Sequence, residues 1–332
     1  VDAERPDLVV VSGDFTQRAR TGQFEQACAF LTRLKDKGHA VIGVPGNHDI
    51  PLYDVLRRFF SPLTRYRRYI DDSLCPFHEL PTAAVLGVNT ARSATFKDGK
   101  INDGQIAFIR DTFQRVPEGV PRILVTHHPI FALPTGDGVG EPIKNQEKVL
   151  EMIAGLGVDI LLAGHNHRAS HQDSADFVTK STGALVIQAG TATSTRVRGE
   201  HQSFNRIIVN GENVEVTLIG WHHTEFRDED PARFTRKDGR WVKLGDEGID
   251  DGDVDIPLQE LPGDDVRMML EHRQHNPVAG LELGAAPALR DQIDRLGRAA
   301  REHQFVRLSA DQVCRRRPRR LIGRGHVRRA LV

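Results

Sequence analysis

A chain of 332 residues is long enough to bury a full core and suits one large domain with an appendage. Its 45 basic residues balance 45 acidic ones, so no global field argues for a nucleic-acid or membrane partner. No apolar run approaches the roughly 20 residues that cross a bilayer, and Cys28, Cys75 and Cys314 have neither zinc-type nor redox spacing, so a reducing, cytoplasmic setting is expected.

The chain opens at Val1 and reaches an apolar strand at Leu8-Val9-Val10-Val11, so its N-terminus is expected to be truncated or processed. That strand runs into Gly13-Asp14. Thr21 then suits the cap of a helix whose apolar positions are Phe24, Ala27, Cys28, Leu31 and Leu34, and Gly38 ends it. The strand Ala40–Val44 leads into Gly46-Asn47-His48-Asp49. Pro51 fits the first turn of a helix carrying Leu52, Val55, Leu56 and Phe59. A strand over Ala84–Val88 ends at Asn89, and a helix from Asp103 carries Ile106, Ile109 and Phe113 on one face. The strand Ile123–Thr126 runs into His127-His128-Pro129. A helix over Asn145–Gly155 and a strand over Asp159–Ala163 follow, and that strand runs into Gly164-His165-Asn166-His167.

From Ala184 the rhythm changes. Ala184–Ala189 and Phe204–Asn210 read as strands, and Asn210-Gly211-Glu212-Asn213 is a hairpin turn into Val214–Gly220. Strands alternating with helices, then a strand-rich end, make the expected class α/β, a layered domain of sheets covered by helices. Residues 227–265 are acidic and rich in Gly and Pro and read as a linker or loosely ordered surface. A helix is expected over Ala288–His303. The Arg-rich stretch from Arg315 to Arg329 has no acidic residue and reads as a disordered basic tail rather than a nucleic-acid arm. The expected organisation is one domain over 1–225 and an extension, partly helical or disordered, over 226–332.

The four motifs put hard oxygen and imidazole ligands at the ends of buried strands, which is how a metal centre is assembled from distant parts of a chain. Two divalent metals held ~3.5–4 Å apart catalyse phosphoryl displacement by clamping the attacking and leaving oxygens. A carboxylate suits the bridge between two cations, and Asp14 is the candidate. Asn47 offers a neutral amide oxygen. His127, His165 and His167 add imidazoles, which suit Mn, Fe, Zn or Ni better than Mg or Ca.

This order of motifs resembles the calcineurin-like metallophosphoesterase superfamily, whose pattern is Asp-X-His, Gly-Asp, Gly-Asn-His-Asp/Glu, His and Gly-His-X-His. Leu86-Gly87-Val88-Asn89-Thr90-Ala91-Arg92 and Ala189-Gly190-Thr191-Ala192 are similar to the bacterial class III cyclic-nucleotide phosphodiesterase and glycerophosphodiesterase-like branch. The resemblance spans roughly residues 5–225. It implies an α/β/β/α sandwich, two mixed sheets flanked by helices, holding two metal ions (Mn, Fe or Zn). It implies Asp14 as the bridge, Asn47, His127 and His165 on the second metal, and His167 on the first. His48 would assist the leaving oxygen, and Asp49 would orient His48. Asn89, Arg92 and His128 would lie on the substrate side, His128 behind the ligands and Arg92 on a phosphate oxygen.

The implied activity is hydrolysis of a small phosphodiester, such as a cyclic nucleotide, by in-line attack of a metal-bridging hydroxide. No nucleic-acid or membrane partner is expected from the zero net charge, and the catalytic half is not conspicuously basic, as a nuclease would need. The Asp-X-His motif is absent from Val1–Ser12. Loss of that opening strand is expected to leave a gap in a central sheet. The missing motif favours one alternative, an impaired fragment or binding module with at most one metal. A phosphomonoesterase or nuclease at the same site is the other, because the motifs do not specify the substrate pocket.

Overall fold

The computed structural model describes residues 4–95, 98–132, 134–135, 138–139, 141–166, 169–173, 183–193, 201–245 and 266–271. The chain begins with β1 (Leu8–Val11), α1 (Thr21–Asp36), β2 (Val41–Gly43) and a short 3-10 turn, Asn47–Asp49. The helices α2 (Val55–Phe60) and α3 (Thr64–Tyr69), the strands β3 (Phe77–Leu80) and β4 (Ala83–Val88), and α4 (Asp103–Phe113) follow. Next come β5 (Arg122–Thr126), the two-residue strands β6 (Pro134–Thr135) and β7 (Gly138–Val139), α5 (Gln146–Leu156), β8 (Ile160–Ala163), β9 (Ser170–Asp173) and β10 (Leu185–Gln188). The rest is β11 (Ser203–Asn210), β12 (Asn213–His222), β13 (Glu225–Asp228), β14 (Ala232–Lys237), β15 (Arg240–Lys243) and β16 (Val266–Glu271).

Two mixed sheets stack face to face. One runs β15-β14-β12-β11-β16-β1-β2, with β13 also paired to β12, and the other runs β3-β4-β5-β8-β10-β9. The period of two along each strand assigns the core. In the first sheet Leu8 and Val10 face inward between the sheets, while Val9 and Val11 face the layer of α1 and α3. In the second, Val85, Ile123, Val125, Ile160, Leu162, Leu185 and Ile187 face the same inner core. Their neighbours Leu86, Leu124, Leu161 and Val186 pack under α4 and α5. Strands covered on both faces must be apolar at every position, which is why the runs before the motifs do not alternate. Each fully buried Val, Leu or Ile contributes about 1.5–3 kcal/mol. The layers are therefore α/β/β/α, as the resemblance implies.

Several expectations are corrected. Thr21 is the first helical residue of α1 rather than its cap, and Arg20 takes the cap position. The linker expected over 227–265 begins instead with ordered sheet. Strands β14 and β15 form a hairpin about Asp238 and Gly239, both at positive φ (53° and 78°). Phe234 and Trp241 of this hairpin are buried in the core between the sheets. The Trp241 indole donates to the Asp159 carbonyl at 3.1 Å, and Arg236 pairs with the Asp159 carboxylate. The sheet thus continues past the boundary expected at 225.

The gap expected in the central sheet is likewise filled. Strand β16 lies between β1 and β11, parallel to the first and antiparallel to the second, with Leu8 opposite Met268 and Ile207 opposite Met268. Met268 joins the inner core, and Met269 packs with Ala192, Phe204 and Ile219. The expected helix over Ala288–His303 and the arginine-rich tail lie outside the described residues.

Candidate metal centre

Parallel strands deliver their C-terminal ends to one edge of a sheet, and ligands gather beyond those ends. Here β1 and β2 deliver Asp14 and Asn47, while β5 and β8 of the facing sheet deliver His127 and His165. The close approach needs two glycines. Gly13 has φ +101°, and a Cβ there would lie 2.6 Å from His127 Nδ1. A Cβ on Gly46 would overlap the Asp14 carboxylate. Asp14 itself is 1 % exposed and sits at φ 56°, which an aspartate tolerates better than most residues.

The geometry of the four side chains is close. His127 Nδ1 lies 2.8 Å from the Ser12 carbonyl, an acceptor only, so this nitrogen carries the proton and donates. Burial lowers the His127 pKa, against an opposing pull from Asp14, and favours the neutral ring. Nε2 is then a lone-pair atom. It lies 2.9 Å from Asn47 Oδ1, 3.2 Å from His165 Nδ1 and 3.5 Å from Asp14 Oδ1. His165 Nδ1 is also 3.2 Å from Asn47 Oδ1. His127 Nε2, Asn47 Oδ1 and Asp14 Oδ1 thus turn three lone-pair atoms toward one another beside His165 Nδ1, an arrangement that a cation satisfies. The donor set of carboxylate, amide oxygen and imidazole suits a first-row metal such as Mn, Fe or Zn. These residues therefore fit a metal.

His165 owes its pose to its turn, at φ 73°. The Gly164 N–H donates to the His127 carbonyl at 3.1 Å, and the Gln188 amide donates to the Gly164 carbonyl at 3.0 Å. His167 lies outside the described residues. His128 joins His127 and His165 in a group whose ligand atoms all lie within 4.8 Å of one another. It is buried, with Nδ1 2.8 Å from Thr90 Oγ1. His171 sits on β9 against the Phe234 ring, with centroids 5.5 Å apart.

His48 is half-buried beside this group. Its N–H donates to Asp14 Oδ1 at 3.0 Å, and its Nδ1 lies 2.8 Å from the Gln17 carbonyl. That carbonyl fixes the tautomer, leaving Nε2 as the acceptor when the ring is neutral. The Asp49 carboxyl turns elsewhere: it accepts from Phe15 N (3.2 Å), Thr16 N (2.9 Å), Thr16 Oγ1 (3.0 Å) and Gly46 N (2.9 Å). Asp49 thus ties the loop after β1 to the loop after β2, and the ring of His48 is oriented by Gln17. Burial, and secondly the charge of Asp14, push the Asp49 carboxyl up to about 8.

Two of the residues expected on the substrate side, Asn89 and Arg92, stand in the loop after β4. Asn89 is buried, and its side chain accepts from Ala91 N at 2.9 Å. Arg92 donates to the Asn89 carbonyl (3.3 Å) and the Ala91 carbonyl (2.9 Å) and also pairs with Gln105. Its guanidinium thus braces its own loop against α4. Ser12 and Gln17 were not singled out from sequence. Each acts through a main-chain carbonyl, which leaves no residue-type signature.

Residues 1–169 match the family model for calcineurin-like phosphoesterase. The chain belongs to that family. It is accordingly a phosphoester hydrolase of a metal-binding class. A curated relative from Rhodococcus erythropolis, described as a probable cyclic nucleotide phosphodiesterase, is 24 % identical over 229 residues, covering 66 % of this chain and 72 % of its own. Among solved structures, a dimetal phosphatase from Danio rerio is 15 % identical and superposes with a TM-score of 0.47, covering 68 % of this chain and 84 % of its own. A Vps29 variant from Entamoeba histolytica is 13 % identical, with a TM-score of 0.33 over 71 % of this chain and 86 % of its own.

Proposed function

We propose that the chain hydrolyses a small phosphodiester, with a cyclic nucleotide as the leading substrate class, at a metal centre built on Asp14, Asn47, His127 and His165, with His167 as a further ligand. The observation that carries the reading is the convergence of lone pairs on His127 Nε2. The name of the Rhodococcus relative supports the phosphodiester. Bound metal would supply Lewis acidity toward the phosphoryl oxygens. Asp14 and the two histidines would fix the cations against the wall of the site. Asn47 would bind through oxygen without neutralising their charge.

His48, its Nδ1 held by the Gln17 carbonyl, would present Nε2 toward the phosphoryl group. Protonated there, it would give its proton to the departing alkoxide as the P–O bond breaks. Asp49 would hold the loops of Asp14 and Asn47 in register, and Arg92 would keep the Asn89–Arg92 loop closed against α4.

The test is the Mn²⁺-to-protein ratio of the loaded full chain, read beside hydrolysis of 2′,3′- and 3′,5′-cyclic nucleotides. About two metals per chain and turnover of a cyclic substrate are expected. One metal or none, with no turnover, would make the chain a binding module of the same fold. Turnover of monoesters alone would move the reading to a phosphomonoesterase.

A further inference from the structure

Helix α2 is inside out. Its one buried residue is Arg58, while Val55, Leu56, Phe59 and Phe60 face solvent. The buried guanidinium is fully employed, donating to the carbonyls of Ser93 (2.7 Å), Pro51 (3.0 Å) and Thr95 (2.6 Å). The helix is therefore fastened with its apolar side outward rather than loosely placed. Exposure reaches 75 % at Tyr53, 72 % at Leu56 and 84 % at Phe60. Contiguous exposed apolar surface of this kind marks a surface that something covers.

What lies beside it argues for the occupant. A cleft of about 290 Å³ opens between α2, α3 and the start of α1, and its lining includes Arg57, Arg65, Arg68, Ser61 and Thr64. Arg65 donates to the Ala19 carbonyl at the floor. Burial lowers its pKa, and the neighbouring Arg57 adds to this. Between Pro51 and Ile70 stand five arginines and one acid, Asp54, which caps α2. A second copy docked on this face by a two-fold axis would bring two rims together that each carry Arg57, Arg67 and Arg68 and only one acid, Asp54. An aromatic and aliphatic face bordered by arginines has instead the composition of an interfacial helix.

We propose that α2 and the arginine cleft beside it dock on an anionic phospholipid bilayer, with Leu56, Phe59 and Phe60 in the acyl boundary and Arg57 and Arg68 on headgroup phosphates. The balance of charge over the whole chain does not oppose this, because a sum says nothing of where the charges lie.

Co-sedimentation of the full chain with phosphatidylcholine vesicles, and with vesicles containing phosphatidylserine, tests the proposal without any assay of hydrolysis. A failure here therefore leaves the phosphodiesterase reading untouched. Binding to the anionic vesicles alone, weakening with salt, is expected. The double variant R57Q/R68Q should bind roughly 30-fold more weakly, from two lost charges. F59S/F60S should lose about tenfold or more. Both variants alter exposed side chains, and their melting should match wild type. No binding to anionic vesicles, or binding that neither variant weakens, would overturn the proposal. So would a dimer in light scattering that F59S/F60S converts to a monomer, since the face would then belong to a second copy.

Discussion

Replacing Gly13 by alanine separates two costs that the structure assigns to one residue. At φ +101° an L-residue loses about 1–2 kcal/mol against the left-handed penalty. The new Cβ would also stand 2.6 Å from His127 Nδ1 and 2.9 Å from Gly46 N, whereas comfortable contacts lie near ~3.5–4.0 Å. The ring must retreat, which strains the 2.8 Å bond to the Ser12 carbonyl and draws Nε2 away from Asn47. Overpacking of this kind costs about 1–3 kcal/mol, and the weakened hydrogen bond about 1 kcal/mol. The total is roughly 3–6 kcal/mol, a fall in melting temperature of about 6–24 °C for a domain of this size. Gly38→Ala supplies the control. Gly38 has φ +91° with nothing within 4 Å of an added Cβ, so it carries the backbone cost alone. Circular-dichroism melts of both variants, with Mn²⁺ titrations by calorimetry, should show Gly13→Ala melting well below Gly38→Ala and binding metal at least tenfold more weakly. If the two variants melt together and bind Mn²⁺ equally, the crowding around His127 is wrong.

Asn47→Ala removes the oxygen nearest His127 Nε2, and Mn²⁺ affinity should fall by more than the roughly 10–100-fold that loss of an outer partner costs; unchanged affinity in the same titration would remove Asn47 from the centre. His48→Gln should lower kcat by about 10²–10⁴ while metal content by elemental analysis stays at the wild-type value. A parallel loss of metal would make His48 structural. Trp241→Ala should cost about 3–5 kcal/mol in urea denaturation, because the indole is 5 % exposed in the core between the sheets. A loss below about 1 kcal/mol would return β14 and β15 to the status of an appendage.

The parts of the fold legible in sequence are those in which a signal and its consequence are neighbours along the chain. Val9 and Val10 diverge to two layers by alternation, and the strand they form carries Gly13 and Asp14 to its own end. The same holds for Ile123–Thr126 with His127 and for Ile160–Ala163 with His165. The hairpin β14–β15 carried a readable signal, Asp238-Gly239 between short alternating runs, but the acidic, Gly-rich composition around it pointed to a linker. The slot filled by β16 had no local signature at all. It is defined by the free edges of β1 and β11, and those strands lie far apart in sequence.

Helix α2 shows a different limit. The spacing of Val55, Leu56 and Phe59 tells that an apolar face exists, not which side of the helix meets the protein. That choice was made by Arg58, which finds three carbonyl acceptors on segments around Pro51, Ser93 and Thr95. A guanidinium can be buried only where such acceptors are already gathered, for its desolvation would otherwise outweigh the gain. Once it is held there, rotating the helix to hide Phe59 and Phe60 would break all three bonds. The apolar face is thus committed to the outside by a polar anchor, and whatever covers it must come from beyond the chain's own core.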